Sequence, residues 1–202
     1  MLRQTNSYIL PLRVPASEEG KYVLYPSFET DGEVFIGIDS LAEKLSSRKV
    51  IVVDGFEGVF WDKFIPRLSG ALEKRGLKLS TKDVSLALRP SSEIDALLEP
   101  FMGAEDSIFG RMSTMHLVDF FDREALRSIE VDKTADITIV YGTGAWLTGL
   151  HKMPDAALVY VDLPKNELQF RMAAGSAKNL GVEQPLESRL AYKRCYFIEW
   201  PI

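Results

Sequence analysis

The run Val50-Ile51-Val52-Val53, four β-branched residues closed at once by Asp54-Gly55, constrains the fold more than any other stretch of the chain. β-branched side chains favour extended backbone, and an unbroken apolar run leaves no polar face for water. Such a strand belongs in a parallel sheet covered on both sides. Two further runs follow. Ile137-Thr138-Ile139-Val140 breaks at Tyr141-Gly142, and Ala157-Leu158-Val159-Tyr160-Val161 ends at Asp162-Leu163-Pro164.

Between these runs the apolar spacing turns helical. Ile38, Leu41, Ala42 and Leu45 predict a short helix capped by Asp39 or Ser40. Trp61, Phe64, Ile65, Leu68 and Leu72 mark one face of a second helix that Gly76 ends, with Pro66 tolerable only near its first turn. A strand is expected within Leu77 to Val84, and a helix from about Lys165 into Ala174. The segment from Ser91 to Leu126 starts as a helix on Ile94, Leu97 and Leu98, turns irregular around Gly103 and Gly110, and reads as a lid-type insertion. Strands alternating with helices imply right-handed βαβ units, hence an α/β, three-layer architecture with a mostly parallel sheet and helices on both faces.

Residues 1–37, with Pro11, Pro15, Pro26 and Gly20 among short apolar pieces, read as an N-terminal arm with edge strands; residues 38–202 form the main domain. A net charge of −5 argues against the positive field that nucleic-acid binding uses. No apolar run approaches the roughly 20 residues of a membrane span, and the N-terminus lacks the pattern of a secretory signal. The single cysteine, Cys195, permits no internal disulfide. The expectation is a cytoplasmic protein that engages neither nucleic acid nor membrane.

Ligands in open α/β sheets gather at the carboxyl ends of strands. The segment Val50 to Phe64 is a strand, a glycine-containing loop and a helix start, the frame of a Walker A site. The working pattern G-x-x-x-x-G-K-[ST] cradles phosphate on backbone amides, neutralises it with Lys and holds Mg²⁺ on a hydroxyl. With Gly55 as first glycine, Phe60 stands at the second, Trp61 at the lysine and Asp62 at the Ser or Thr. Each change works against an anion: bulk at the close approach, no ammonium, and a carboxylate at the helix start. Lys63 comes one place late, about 100° around the helix. Either Phe56, Val59, Phe60 and Trp61 fill the vacated pocket with Asp62 as helix cap, or Asp54, Glu57 and Asp62 form a carboxylate cluster for a cation or a sugar hydroxyl. The ligand-binding candidates are Asp54, Gly55, Glu57, Gly58, Asp62, Tyr141, Asp162 and Arg171, the last as a surviving anion contact. No catalytic or metal-ligating residue is assigned.

Asp54-Gly55, Tyr141-Gly142 and the string Tyr160 to Glu167 resemble, in layout, P-loop small-molecule kinases of the uridine-kinase type over about Val50 to Ala174. That resemblance implies an acidic residue before the glycine of a later core strand, where Tyr141 stands instead. The strings Tyr22 to Phe28, Val53 to Phe60, Tyr160 to Glu167 and Tyr192 to Pro201 are similar to the N-terminal region of bacterial class I mannose-6-phosphate isomerase-like proteins. This similarity implies a zinc-dependent cupin region beyond Ile202, with zinc expected there and no cofactor within this segment. It also implies a sugar phosphate or nucleotide as ligand class, and the isomerase region or a second copy of the chain as partner.

His116 and His151 have no companion at ligand spacing and read as structural or surface residues. Cys195 reads as a buried inert thiol. Arg171, Lys178, Arg189, Lys193 and Arg194 form a basic stretch, either a phosphate clamp or a solvated helix face. Tyr192, Tyr196, Phe197 and Trp200 either pack on the sheet or need a covering partner. Three functions are compatible with these residues: a non-catalytic kinase-like accessory domain, an ATP-dependent small-molecule kinase in which Lys63 or Arg171 replaces the lost lysine, and a structural interaction module.

Overall fold

The structure is a computed structural model that describes Gly20, residues 32–104 and residues 107–202. The arm expected over 1–37 lies almost wholly outside the described residues. Among the described residues four strands, β1 (Val50–Gly55), β2 (Leu79–Asp83), β3 (Ile137–Tyr141) and β4 (Ala156–Val161), form one sheet in the order β2-β3-β1-β4. All three pairings are parallel, with Val50 opposite Thr138 on one side and Ala156 on the other.

Every residue of β1 is buried, as its β-branched run requires. Its period of two divides the protein into two cores. Ile51 and Val53 pack with Ile137 and Ile139 against α1 (Ile38–Leu45) and α2 (Trp61–Glu73). Val50, Val52 and Val140 face α3 (Ser91–Met102) and α4 (Arg123–Arg127) on the other side. The sheet thus has helices on both faces. In α2, Ile65, Leu68 and Leu72 are buried, and each contributes about 2 kcal/mol of hydrophobic stabilisation.

The local expectations need three corrections. Helix α1 starts at Ile38 after Gly37, so Asp39 and Ser40 lie inside it, and the Ser40 hydroxyl donates back to the Ile36 carbonyl at 2.6 Å. Pro66 is the sixth residue of α2 rather than part of its first turn. Phe60, not Asp62, holds the N-cap position there, and no side chain caps the helix. The ends of the segment after Ser91 belong to the core, with Ile94, Leu98, Phe120 and Phe121 buried, while Ile108, Phe109 and Met112 between them are exposed. Gly103 and Gly110 break the helical period, but the phenylalanines beyond them bring the chain back beneath β1.

The C-terminal third adds α5 (Lys165–Ala173) and α6 (Ser188–Arg194), which runs on into a π-type turn over Cys195–Glu199. Leu163, Leu168, Met172, Ala191 and Cys195 form a third small core with Phe56 and Val59 from the loop after β1. This places the chain end directly behind the Walker-type loop. Among the described residues no helix is long and apolar enough to cross a membrane.

Candidate functional site

The strand order reverses at β1, whose neighbours are β3 and β4 rather than β2. A ligand crevice is expected beyond its carboxyl end, and there the loop Phe56–Phe60 is held by the protein's own groups. A Cβ at Gly55 would stand 2.6 Å from the Val161 carbonyl oxygen and 2.9 Å from the Trp61 indole, so only glycine fits. Trp61, at the position of the Walker lysine, folds back over Gly55. Its ring centroid lies 6.2 Å from that of Tyr141, the residue standing where a P-loop kinase of the uridine-kinase type has an acid.

Arg171 fixes the other side of the loop. Its Nη1 donates to the Gly58 carbonyl at 2.8 Å, its Nε pairs with Glu167 at 3.0 Å, and its guanidinium lies 4.1 Å from the centre of the Phe60 ring. Gly58 takes φ +77°, a left-handed conformation open to glycine, while Leu168 leaves no room for a side chain there. The cation expected to meet an anion therefore holds backbone and an aromatic face instead.

Asp54 is buried, and its oxygens accept from three backbone amides: Gly55 at 2.7 Å, Gly144 at 3.0 Å and Trp146 at 2.7 Å. It ties the loop after β3 to the end of β1. Asp62 is exposed and pairs with Lys63 at 3.0 Å. Asp162 is exposed at the end of β4, where it accepts from the Leu163 amide at 2.8 Å. Burial, then the neighbouring Asp83, raises the Tyr141 hydroxyl above the usual phenol range.

Glu57 groups with Cys195 and Glu199 rather than with Asp54 and Asp62. It is 6% exposed; its carboxyl faces Glu199 and Cys195, and neither oxygen makes a hydrogen bond of good geometry. Burial, followed by the repulsion of Glu199, pushes its pKa up to about 10, so it is a neutral acid at pH 7. Its neighbours come from the C-terminal turn. Glu199 accepts from Arg194 Nε at 3.1 Å, the Leu180 amide at 3.0 Å and Asn179 Nδ2 at 2.8 Å. The Cys195 thiol donates to Glu199 at 3.4 Å and touches Met172 Sδ at 3.3 Å; burial, then Glu199, raises it far above the ordinary thiol range.

Two cavities meet at Glu57. One of about 300 Å³ is largely apolar and reaches Leu147, Leu158, Tyr160 and Glu199. The other, about 550 Å³, lies at the strand ends between the loop, Asp83, Arg89, Thr143 and the stretch Ser176–Glu183. It is the size of a small-molecule site. Its wall carries Arg89 and Lys178 against Glu57, Asp62, Asp83 and Glu183.

Comparison with known proteins bears on this arrangement. A family profile described as a domain of unknown function, DUF8485, matches residues 37–202. The chain belongs to the DUF8485 family. No curated protein matches it. The crystal structure of a "putative fructose transport system kinase" from Silicibacter sp. TM1040 is similar in fold, with a TM-score of 0.54 at 14% identity over 82% of this chain and 91% of that one. The DUF8485 domain is therefore an α/β domain with a kinase-like fold.

Within this DUF8485 domain Asp54, Glu57 and Asp62 do not come together as a carboxylate cluster, the second of the two readings of this loop. Asp54 is spent on amides, Asp62 faces solvent with Lys63, and Glu57 joins Cys195 and Glu199. The basic stretch is also not a solvated face throughout. Arg194 is 4% exposed and bridges Glu199, Asp95 and the Leu180 carbonyl; Lys193 donates to the Ser107 carbonyl at 2.7 Å. His151 stacks on Trp146 at 3.7 Å between ring centres, and His116 is exposed. Sequence reasoning missed Asn179, Glu199 and Arg194 as neighbours of Glu57. The i, i+4 spacing of Cys195 and Glu199 was the available signal.

Proposed function

We propose that this is a non-catalytic, kinase-like accessory domain of a mannose-6-phosphate isomerase-like protein of carbohydrate metabolism, acting in the cytoplasm. The observation that carries the reading is the contact of Trp61 with both Gly55 and Tyr141. At the two positions where a P-loop kinase needs an ammonium and a carboxylate, two aromatic side chains pack against each other. Triphosphate capture relies on amides, a cation and Mg²⁺ acting together. Here neither basic candidate is placed for that work, since Lys63 is paired with Asp62 at an exposed site and Arg171 holds Gly58.

The link to an isomerase rests on the strings at Val53 to Phe60, Tyr160 to Glu167 and Tyr192 to Pro201. Tyr192 and Tyr196 are 44% and 46% exposed, with Trp200 in ring contact with both. This aromatic face is the surface on which a catalytic region or a second copy would dock. The 550 Å³ cavity, with Arg89 and Lys178 on its wall, is where a sugar phosphate would sit.

Isothermal titration of the chain with ATP and Mg²⁺ tests the first part. The expected result is no saturation below the millimolar range and no phosphate release with sugars or nucleosides. Micromolar binding, or turnover abolished by Asp54→Ala in a protein that stays folded, would replace this reading with the active kinase.

A further inference from the structure

We propose that Glu57, Cys195 and Glu199 are the ligands of a buried divalent cation of the zinc class. The three offer a carboxylate oxygen, a sulfur and a second carboxylate oxygen within 4.8 Å of one another, and all three residues are buried. Zinc with arms of 2.0–2.3 Å sets tetrahedral ligand atoms about 3.5 Å apart, a contraction that side-chain rotation supplies.

The independent sign of a missing ligand is Glu57 itself. A buried polar atom without a partner is rare and costly, and here two oxygens of one side chain share that condition. The Asn179 carbonyl oxygen, on a side chain 1% exposed, is a third acceptor buried without a donor. Its amide nitrogen already bonds Glu199 and the Ala191 carbonyl, so the oxygen cannot be exchanged for the nitrogen without losing both. The unpartnered oxygens of Glu57 are what a cation satisfies. The sulfur selects for zinc over Mg²⁺ or Ca²⁺, which prefer all-oxygen shells.

Charge closes the account. Without metal, Glu199 and Arg194 pair at 3.1 Å. When a divalent ion enters, the Glu57 O–H and the Cys195 S–H each release a proton to solvent and the oxygen and sulfur bind metal. Two positive charges leave as two arrive, and the interior stays neutral. Glu57 lines both cavities, so the ion has a route in. The fourth position falls to water from the cavity.

The test is titration of tag-free, chelator-treated protein with Co²⁺, followed by absorption. We expect one equivalent to bind with a thiolate-to-cobalt charge-transfer band, release of about two protons into a weakly buffered indicator solution, and displacement by one equivalent of Zn²⁺. Cys195 is the only cysteine, so the band reports this site without any variant. Cys195→Ser and Glu57→Gln should each weaken binding tenfold or more. Absence of the band at saturating Co²⁺, or affinity unchanged in folded variants, would overturn the site. Nucleotide binding is not involved, so this result and the ATP titration stand separately.

Discussion

Asp54 is a carboxylate whose work is done by two oxygens against three amides. Asp54→Ala would leave the N–H groups of Gly55, Gly144 and Trp146 without acceptors, and each orphaned buried donor costs about 1–3 kcal/mol. The expected loss is therefore on the order of 3 kcal/mol or more in urea unfolding. Asp54→Asn, which keeps one acceptor oxygen, should lose less; equal stability of all three forms would show that the amides find water instead. The sequence marked Asp54 as a strand-end residue but not this role, because the Gly144 amide lies 90 positions away. Local pattern carries no information about such a partner. Arg194 was misread for the same reason. A charged residue in a basic stretch looks solvated until the fold brings Glu199 and Leu180 around it.

The elements were legible wherever one period dominated. Strands β1, β3 and β4 and helix α2 follow directly from β-branched runs and from apolar residues at helical spacing. Legibility failed where a glycine interrupted the period, as at Gly103, and at the chain end, where α6 passes into a π-type turn that no spacing announces. The loop after β1 was readable as a Walker frame with the wrong residues, though not as one fastened by Arg171. Its fastening can be measured. Arg171→Ala removes a charge-assisted bond to Gly58 and the contact with Phe60, and should cost about 1–2 kcal/mol while speeding amide exchange at residues 57–60. Arg171→Lys should recover little, since an ammonium cannot both reach the carbonyl and lie flat on the ring. Unchanged exchange in the alanine variant would mean that the third core alone holds the loop.

At the scale of the whole molecule, Glu57 carries a pH signal that falls in the working range. Its folded pKa of about 10 stands far above the ordinary value of 4.5, so between these limits the folded state binds a proton that the unfolded state has lost. The stabilisation is complete below pH 4.5 and falls as pH rises toward 10, by at most about 1.4 kcal/mol per pH unit. The groups that face it are Glu199, which opposes its ionisation, and Cys195 and Arg194, which favour it. Metal-free protein should thus show a urea midpoint that drops from pH 5.5 to pH 8.5, and Glu57→Gln should flatten that drop. A midpoint equally steep in the variant would assign the slope elsewhere.

The indole of Trp61 has one further consequence. It is at once an obstacle and a roof, because the same ring that stands at the lysine position also covers Gly55 beside the Val161 carbonyl. Grafting a lysine onto position 61 would open a hole in the wall while adding the charge. Anyone wishing to retrofit this scaffold for phosphotransfer would have to exchange the whole loop together with its arginine brace, since no single letter does it.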